Sequence, residues 1–147
     1  MYTVLSFYGG RIEKMSTEYS DEIMSIFSSP NHIYQEGDEN HLMGFAGDAS
    51  IGEYIHLYFQ FCKAQNSSNY ADSKIVRARF SAVGGVLLIV AAEKFCSLVE
   101  GLSFQDALKY CDPVRIQHIL SAPNEKIYSV NFVIQAFYKS LEALTTL

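Results

Sequence analysis

From Glu53 to Phe61 the chain alternates between two surfaces, with Ile55, Leu57, Phe59 and Phe61 on one and Tyr54, His56, Tyr58 and Gln60 on the other. A period of two with this aromatic content predicts a β-strand that buries one face. One buried face calls for a second layer of structure, and the flanking segments supply it. Lys63 to Ser73 is polar turn chemistry joining this strand to an antiparallel partner. In that partner Val76, Ala78 and Phe80 are expected to alternate against Arg77, Arg79 and Ser81. Gly84-Gly85 ends the hairpin. From Val86 the apolar spacing becomes helical and runs to about Glu100, where Gly101 provides a stop.

Upstream, a helix is expected to begin near Ser20, whose hydroxyl can cap it while Asp21 and Glu22 sit at its positive end. Ile23, Ile26 and Phe27 form its apolar stripe, and Pro30 stops it. His32 to Asp48 reads as a loop leading into a short strand around Leu42 to Phe45. Tyr2 to Tyr8 has the pattern of a short strand punctuated by Gly9-Gly10. Downstream, Ser103 and Asp106 resemble a capping box, with Phe104, Ala107 and Leu108 as the apolar side of a short helix. Asp112-Pro113 opens another, through Ile119-Leu120. After a turn at Ala122-Pro123-Asn124, Asn131 to Leu144 forms the last helix. This order predicts an α+β domain: a small three-stranded antiparallel sheet with helices packed on one face. It occupies residues 19–147, and residues 1–18 are an extension of no assigned role.

The 147 residues fit one domain, and 49% hydrophobic with 18% charged residues is a globular composition. The longest apolar run, Val86 to Ala92, is far short of the ~20 residues that span a bilayer. The N-terminus does not have the pattern of a signal peptide. A net charge of −5 without a Lys/Arg cluster argues against nucleic acid and anionic membranes as partners. A cytoplasmic protein is the expectation. Cys62, Cys96 and Cys111 form no CxxC pair, so neither a disulfide framework nor a zinc ribbon is indicated. Cys96 and Cys111 read as inert core thiols, whereas Cys62 is more open but has no activating neighbour. His32, His41, His56 and His118 are scattered and suggest no metal site. No nucleophile motif or phosphate-binding glycine loop occurs, and Ser129 has no evident base, so no enzymatic activity is expected.

Several words in the sequence, in this order, are similar to the IscU/NifU family of iron–sulfur assembly scaffolds. Tyr19-Ser-Asp-Glu-Ile23 followed by Pro30 resembles the family's first helix and its exit. Gly47-Asp-Ala-Ser-Ile-Gly-Glu53 sits where the family has Gly-x-Pro-x-Cys-Gly-Asp. Ala78-Arg79-Phe80 resembles a strand ending in the same three residues. Val83-Gly-Gly-Val86 falls on the family's Gly-Cys-Gly turn. Gly101 to Ala107 resembles Gly-Lys-Ser-Leu-Asp-Glu-Ala, and Lys126-Ile-Tyr-Ser129 resembles Lys-Ile-His-Cys.

The resemblance implies a site at one end of the molecule where three cysteines, an Asp and a His hold zinc or a nascent [2Fe–2S] cluster. Here Ile51, Gly85 and Ser129 stand at the cysteine positions, Glu53 at the Asp and Tyr128 at the His. Thiolate sulfur is the ligand these metals favour; Ile and Gly bring no donor atom, and a Ser hydroxyl is a poor one. The chain is therefore expected to bind no cofactor. Ile51, Gly85, Val86 and Tyr128 are expected to form an apolar surface for a protein partner, with a cysteine desulfurase or a functional scaffold as the suspected partners. Glu53 itself reads as a solvated carboxylate at a strand start. Two other functions stand beside this: metal handling through Glu53, His41 and Asp48, and an interaction module in an unrelated pathway. The family's chaperone-recognition stretch falls on Ala122-Pro-Asn-Glu-Lys126, where one Pro and the Lys remain.

Overall fold

A computed structural model of the chain describes residues 2–8, 11–40, 42–63, 69–120 and 127–146, with side chains from Tyr19 onward. β1 (Tyr2–Tyr8) and β2 (Arg11–Tyr19) form an antiparallel hairpin separate from the main sheet. The strand expected at Tyr2 to Tyr8 is present, and Gly9-Gly10 lies outside the described residues. α1 (Asp21–Ser28) starts at Ser20, whose Oγ accepts the Ile23 N–H at 3.2 Å.

The main sheet has β3 (Leu42–Asp48), β4 (Glu53–Cys62) and β5 (Lys74–Val83), antiparallel in the order β3-β4-β5. The expected alternation of β4 is observed, with Ile55, Leu57 and Phe59 fully buried. β5 departs from expectation. Its pairing passes from Gln60↔Arg77 to Phe61↔Ile75, leaving Val76 without a partner. One extra residue reverses the alternation beyond it. Ile75 therefore faces the core and Val76 is 45% exposed, correcting the inward placement of Val76.

The second layer is helical: α2 (Val86–Val99), α3 (Phe104–Ala107), α4 (Pro113–Leu120) and α5 (Ile127–Leu144). The capping at Ser103 is present, with its Oγ accepting the Asp106 N–H at 3.0 Å. Phe59 meets Phe104 and Phe137 edge-on, with ring centroids 5.7 Å apart in both pairs. α5 lies directly against β3 because residue 44 is glycine; a Cβ there would collide with the Ala136 carbonyl oxygen. α5 also begins at Ile127 instead of Asn131. Polar Ser129 and Asn131 interrupt the apolar spacing, but Ser129 and Val130 are both buried, so packing extends the helix by a turn. The turn at 122–124 lies outside the described residues.

The segment after Pro30 is held in place. Tyr34 N–H donates to the Phe80 carbonyl at 2.7 Å and Phe80 N–H to the His32 carbonyl at 2.9 Å, so residues 32–34 run along the outer edge of β5. Glu93 of α2 fastens it, accepting the N–H groups of Asn31 and His32 at 2.6 and 2.7 Å and contacting His32 Nδ1. His32 Nε2 lies 3.2 Å from Glu100, which also takes the Ala78 N–H and Arg79 Nη1. A buried carboxylate needs such partners. Among the described residues, no helix is long and apolar enough to cross a membrane.

Candidate functional site

Three connections meet at one end of the sheet: the turn into β4, the Gly84-Gly85 turn into α2, and the first turn of α5. Glu53 opens β4, paired with Asp48 across the hairpin. Its Oε1 accepts the Gly85 N–H at 3.3 Å, and the Ser129 hydroxyl lies 3.4 Å from both of its oxygens. Positions 53, 85 and 129 thus converge.

This arrangement has a local cause. Gly85 is the N-cap of α2 and has no side chain to satisfy the helix's first donors. Glu53 supplies an acceptor from another strand and puts negative charge at the positive end of the helix. Its reading as a solvated carboxylate is corrected by these contacts. Position 84 has no spare room, since a Cβ there would lie 2.6 Å from Leu88 Cδ2 and 3.1 Å from Glu53 Cγ.

Ile51 is 54% exposed and Tyr128 45% exposed. Ile51 stands in the turn two residues before Glu53, and Tyr128 one residue before Ser129 on α5. Val86 belongs elsewhere. At 3% exposure it is a core residue, because the first turn of α2 points it inward, and it contributes nothing to an outer surface. Val83, not anticipated from the sequence, is exposed at the end of β5 beside this turn.

The donor set does not suit a metal. Gly85 and Ile51 bring no ligand atom, Ser129 is buried with its hydroxyl directed at Glu53, and Glu53 is occupied by both partners. Among the described residues, no group of three or more His, Cys, Asp or Glu has the geometry to hold an ion. Of the other ligands weighed, Asp48 caps its own turn: the Ser50 hydroxyl and N–H hold its carboxyl below the ordinary value. His41 lies outside the described residues.

The cysteines do not compensate. Cys62 is exposed at the far end of β4 from Glu53. Burial, with the Glu93 and Glu100 charges, pushes the Cys96 thiol well up. Burial alone raises Cys111 to about 12. Both shifts disfavour the thiolate near neutral pH. The His32–Glu93–Glu100–Arg79 group also escaped the sequence reading. The one available signal was Glu93, a carboxylate closing the apolar run from Val86 to Ala92, which requires a partner if buried.

Residues 18–144 match the family described as NifU-like N terminal domain. No curated protein matches the chain. Among solved structures, it is similar to a protein of the thermophile Fervidobacterium islandicum AW-1, provisionally assigned as an iron–sulfur cluster assembly scaffold of the SUF system. The likeness covers 87% of this chain and 94% of that one, with a TM-score of 0.52 and 20% identity. At that identity it speaks to the fold: an α+β domain built on a three-stranded antiparallel sheet.

Proposed function

The chain belongs to the NifU-like N-terminal domain family of iron–sulfur assembly scaffolds, and from that premise we propose that it serves cluster assembly without carrying a cluster, through contacts with other proteins. One observation carries the reading: the Glu53 carboxylate is closed on the Gly85 N–H and the Ser129 hydroxyl. The groups at three ligand positions satisfy one another instead of opening toward a metal. The role in this reading is not enzymatic: the Ser129 hydroxyl is buried and serves as a partner of Glu53. Ile51 and Tyr128 present apolar and aromatic surface where the family's resemblance places ligands, and this surface meets the partner. A cysteine desulfurase or a cluster-bearing scaffold is the partner class, and binding either would adjust the supply of sulfur or cluster.

Anaerobic reconstitution with iron, sulfide and reductant tests the first half. The expected result is a colourless protein with substoichiometric iron. Stable visible charge-transfer absorption with stoichiometric iron overturns it. Titration with a purified cysteine desulfurase and with a cluster-bearing scaffold tests the second half; micromolar binding to one is expected, and binding to neither removes the proposed partners.

A further inference from the structure

The two edges of the main sheet are treated differently. The outer edge of β5 is covered by residues 32–34, and its beginning by the stretch from Gly101 to Phe104, which exchanges backbone hydrogen bonds with Ser73 and Ile75. β3 forms the other edge. Among the described residues, no backbone hydrogen bond joins Leu42–Asp48 to any segment but β4. Strand edges left open usually carry Lys, Pro or a bulge, which keep other strands away. β3 has none of these: its pairing runs in unbroken register from Leu42↔Phe59 to Asp48↔Glu53, and its sequence is Leu-Met-Gly-Phe-Ala-Gly-Asp. Met43 and Phe45 are 47% and 43% exposed on the sheet's outer face. Beside them runs a groove of about 400 Å³, walled by Phe45, Ala46 and Gly47 on the strand and by Gln135, Tyr138 and Lys139 on α5.

The exposed charged residues just before β3 and at its end are acidic. Exposed Glu36 and Glu39 precede β3, and exposed Asp48 ends it. The groove's Lys139 lies 3.5 Å from Glu142, which offsets its charge.

We infer that the β3 edge receives an extended, basic segment of a partner protein by strand addition. Main-chain hydrogen bonds to β3 would supply affinity, apolar side chains would lie against Phe45 and Tyr138, and cations would face Glu39 and Asp48. A second copy of the chain suits the edge less well. Antiparallel pairing of two β3 strands sets the Glu39 end of one beside Asp48 of the other, like charge against like. The inference does not depend on the reading of Ile51 and Tyr128; Ile51 stands in the turn that follows Asp48, so Phe45, in the middle of β3, is the position that separates the two readings.

The experiment uses the full chain and a fluorescein-labelled decapeptide of alternating Val and Lys, with a Val–Glu decapeptide as control. Anisotropy gives the affinity, and amide exchange of the ¹⁵N-labelled protein gives the location. The Val–Lys peptide should saturate, slow exchange at amides between Met43 and Gly47, and weaken as salt rises. Phe45→Lys, which guards the edge and gives up the cross-strand contact with His56, should weaken it at least tenfold while the protein stays folded with only a small fall in melting temperature, and Asp48→Asn should weaken it severalfold. Equal binding of the Val–Glu peptide overturns the inference, as does an unchanged affinity in Phe45→Lys or protection confined to other strands. Protection of the whole β3 edge in the free monomer would place another part of the chain there, and a dimer protected at β3 would place a second copy there. Either result also overturns it.

Discussion

The Ser129 hydroxyl, on the first turn of α5, lies 3.4 Å from both carboxylate oxygens of Glu53, the first residue of β4. With the Gly85 N–H on the same carboxylate, one side chain ties β4, α2 and α5 together at the end of the sheet. Both Ser129 contacts are long, so the net contribution of each partner is modest.

Ser129→Ala should cost about 1 kcal/mol and Glu53→Ala about 1–2 kcal/mol, because the latter also removes a side-chain acceptor at the N-cap of α2. The double variant should lose less than the sum, which a double-mutant cycle in urea would detect. Strict additivity would mean that the two groups do not interact in solution.

Ile51→Asp and Tyr128→Ser should each weaken capture of the partner at least tenfold while changing folding stability by no more than about 0.5 kcal/mol, as expected for exposed positions. Calorimetry of the free proteins and titration with the desulfurase or scaffold separate the two effects. A large fall in melting temperature would assign these side chains to packing and remove them from the surface.

The family's ligand geometry is open to reconstruction. A Cβ at position 85 would lie 3.7 Å from Glu53 Oε1, an ordinary contact, so the backbone there accepts a side chain. Combined with Ile51→Cys, Ser129→Cys, Glu53→Asp and Tyr128→His, Gly85→Cys should create a zinc site with a thiol at the N-terminus of α2, where the thiolate is favoured. Micromolar or tighter zinc binding by calorimetry, with a melting temperature that rises on adding zinc, is expected. Val86→Gly would relax the turn further but empties a core position, at a cost of roughly 2 kcal/mol. No zinc binding with or without that change would show that the three turns have diverged.

Glu100 should support the fold in a pH-dependent way. Burial alone would raise its carboxyl, but the Ala78 N–H, the Arg79 guanidinium and His32 outweigh burial and hold it below the ordinary value. A carboxyl lowered in the folded state stabilises above its unfolded value, about 4.3, and loses that contribution as pH falls through the folded value. The urea midpoint of Glu100→Gln should therefore fall below wild type at pH 7, and the gap should narrow toward pH 3. A gap of the same size at both would assign the effect to shape instead of charge.

Much of this was legible in the sequence because it depends on neighbours along the chain. The alternation from Tyr54 to Phe61, the caps at Ser20 and Ser103, the stop at Gly101 and the start of α2 after Gly84-Gly85 each follow from period and local hydrogen bonding. The family words between Tyr19 and Ser129 then indicated which turns belong together. Failures came where local pattern and packing disagree. Val76 has the right spacing for the core, but a bulge hands its place to Ile75. Val86 looked like part of an exposed turn, yet the first turn of α2 buries it.

The sequence by itself determined the α+β order, the buried face of β4, and the absence of thiolates at positions 51, 85 and 129. Only the tertiary structure decided what occupies that end: a Glu53 carboxylate reaching Gly85 across 32 positions and Ser129 across 76. It alone decided that residues 32–34 cover one sheet edge through Glu93 while, among the described residues, β3 has no strand partner on its other side. The reason is physical. Periodicity and capping energies act over a few residues and can be read from one chain segment, whereas a hydrogen bond between distant residues exists only after core packing has set the two backbones side by side.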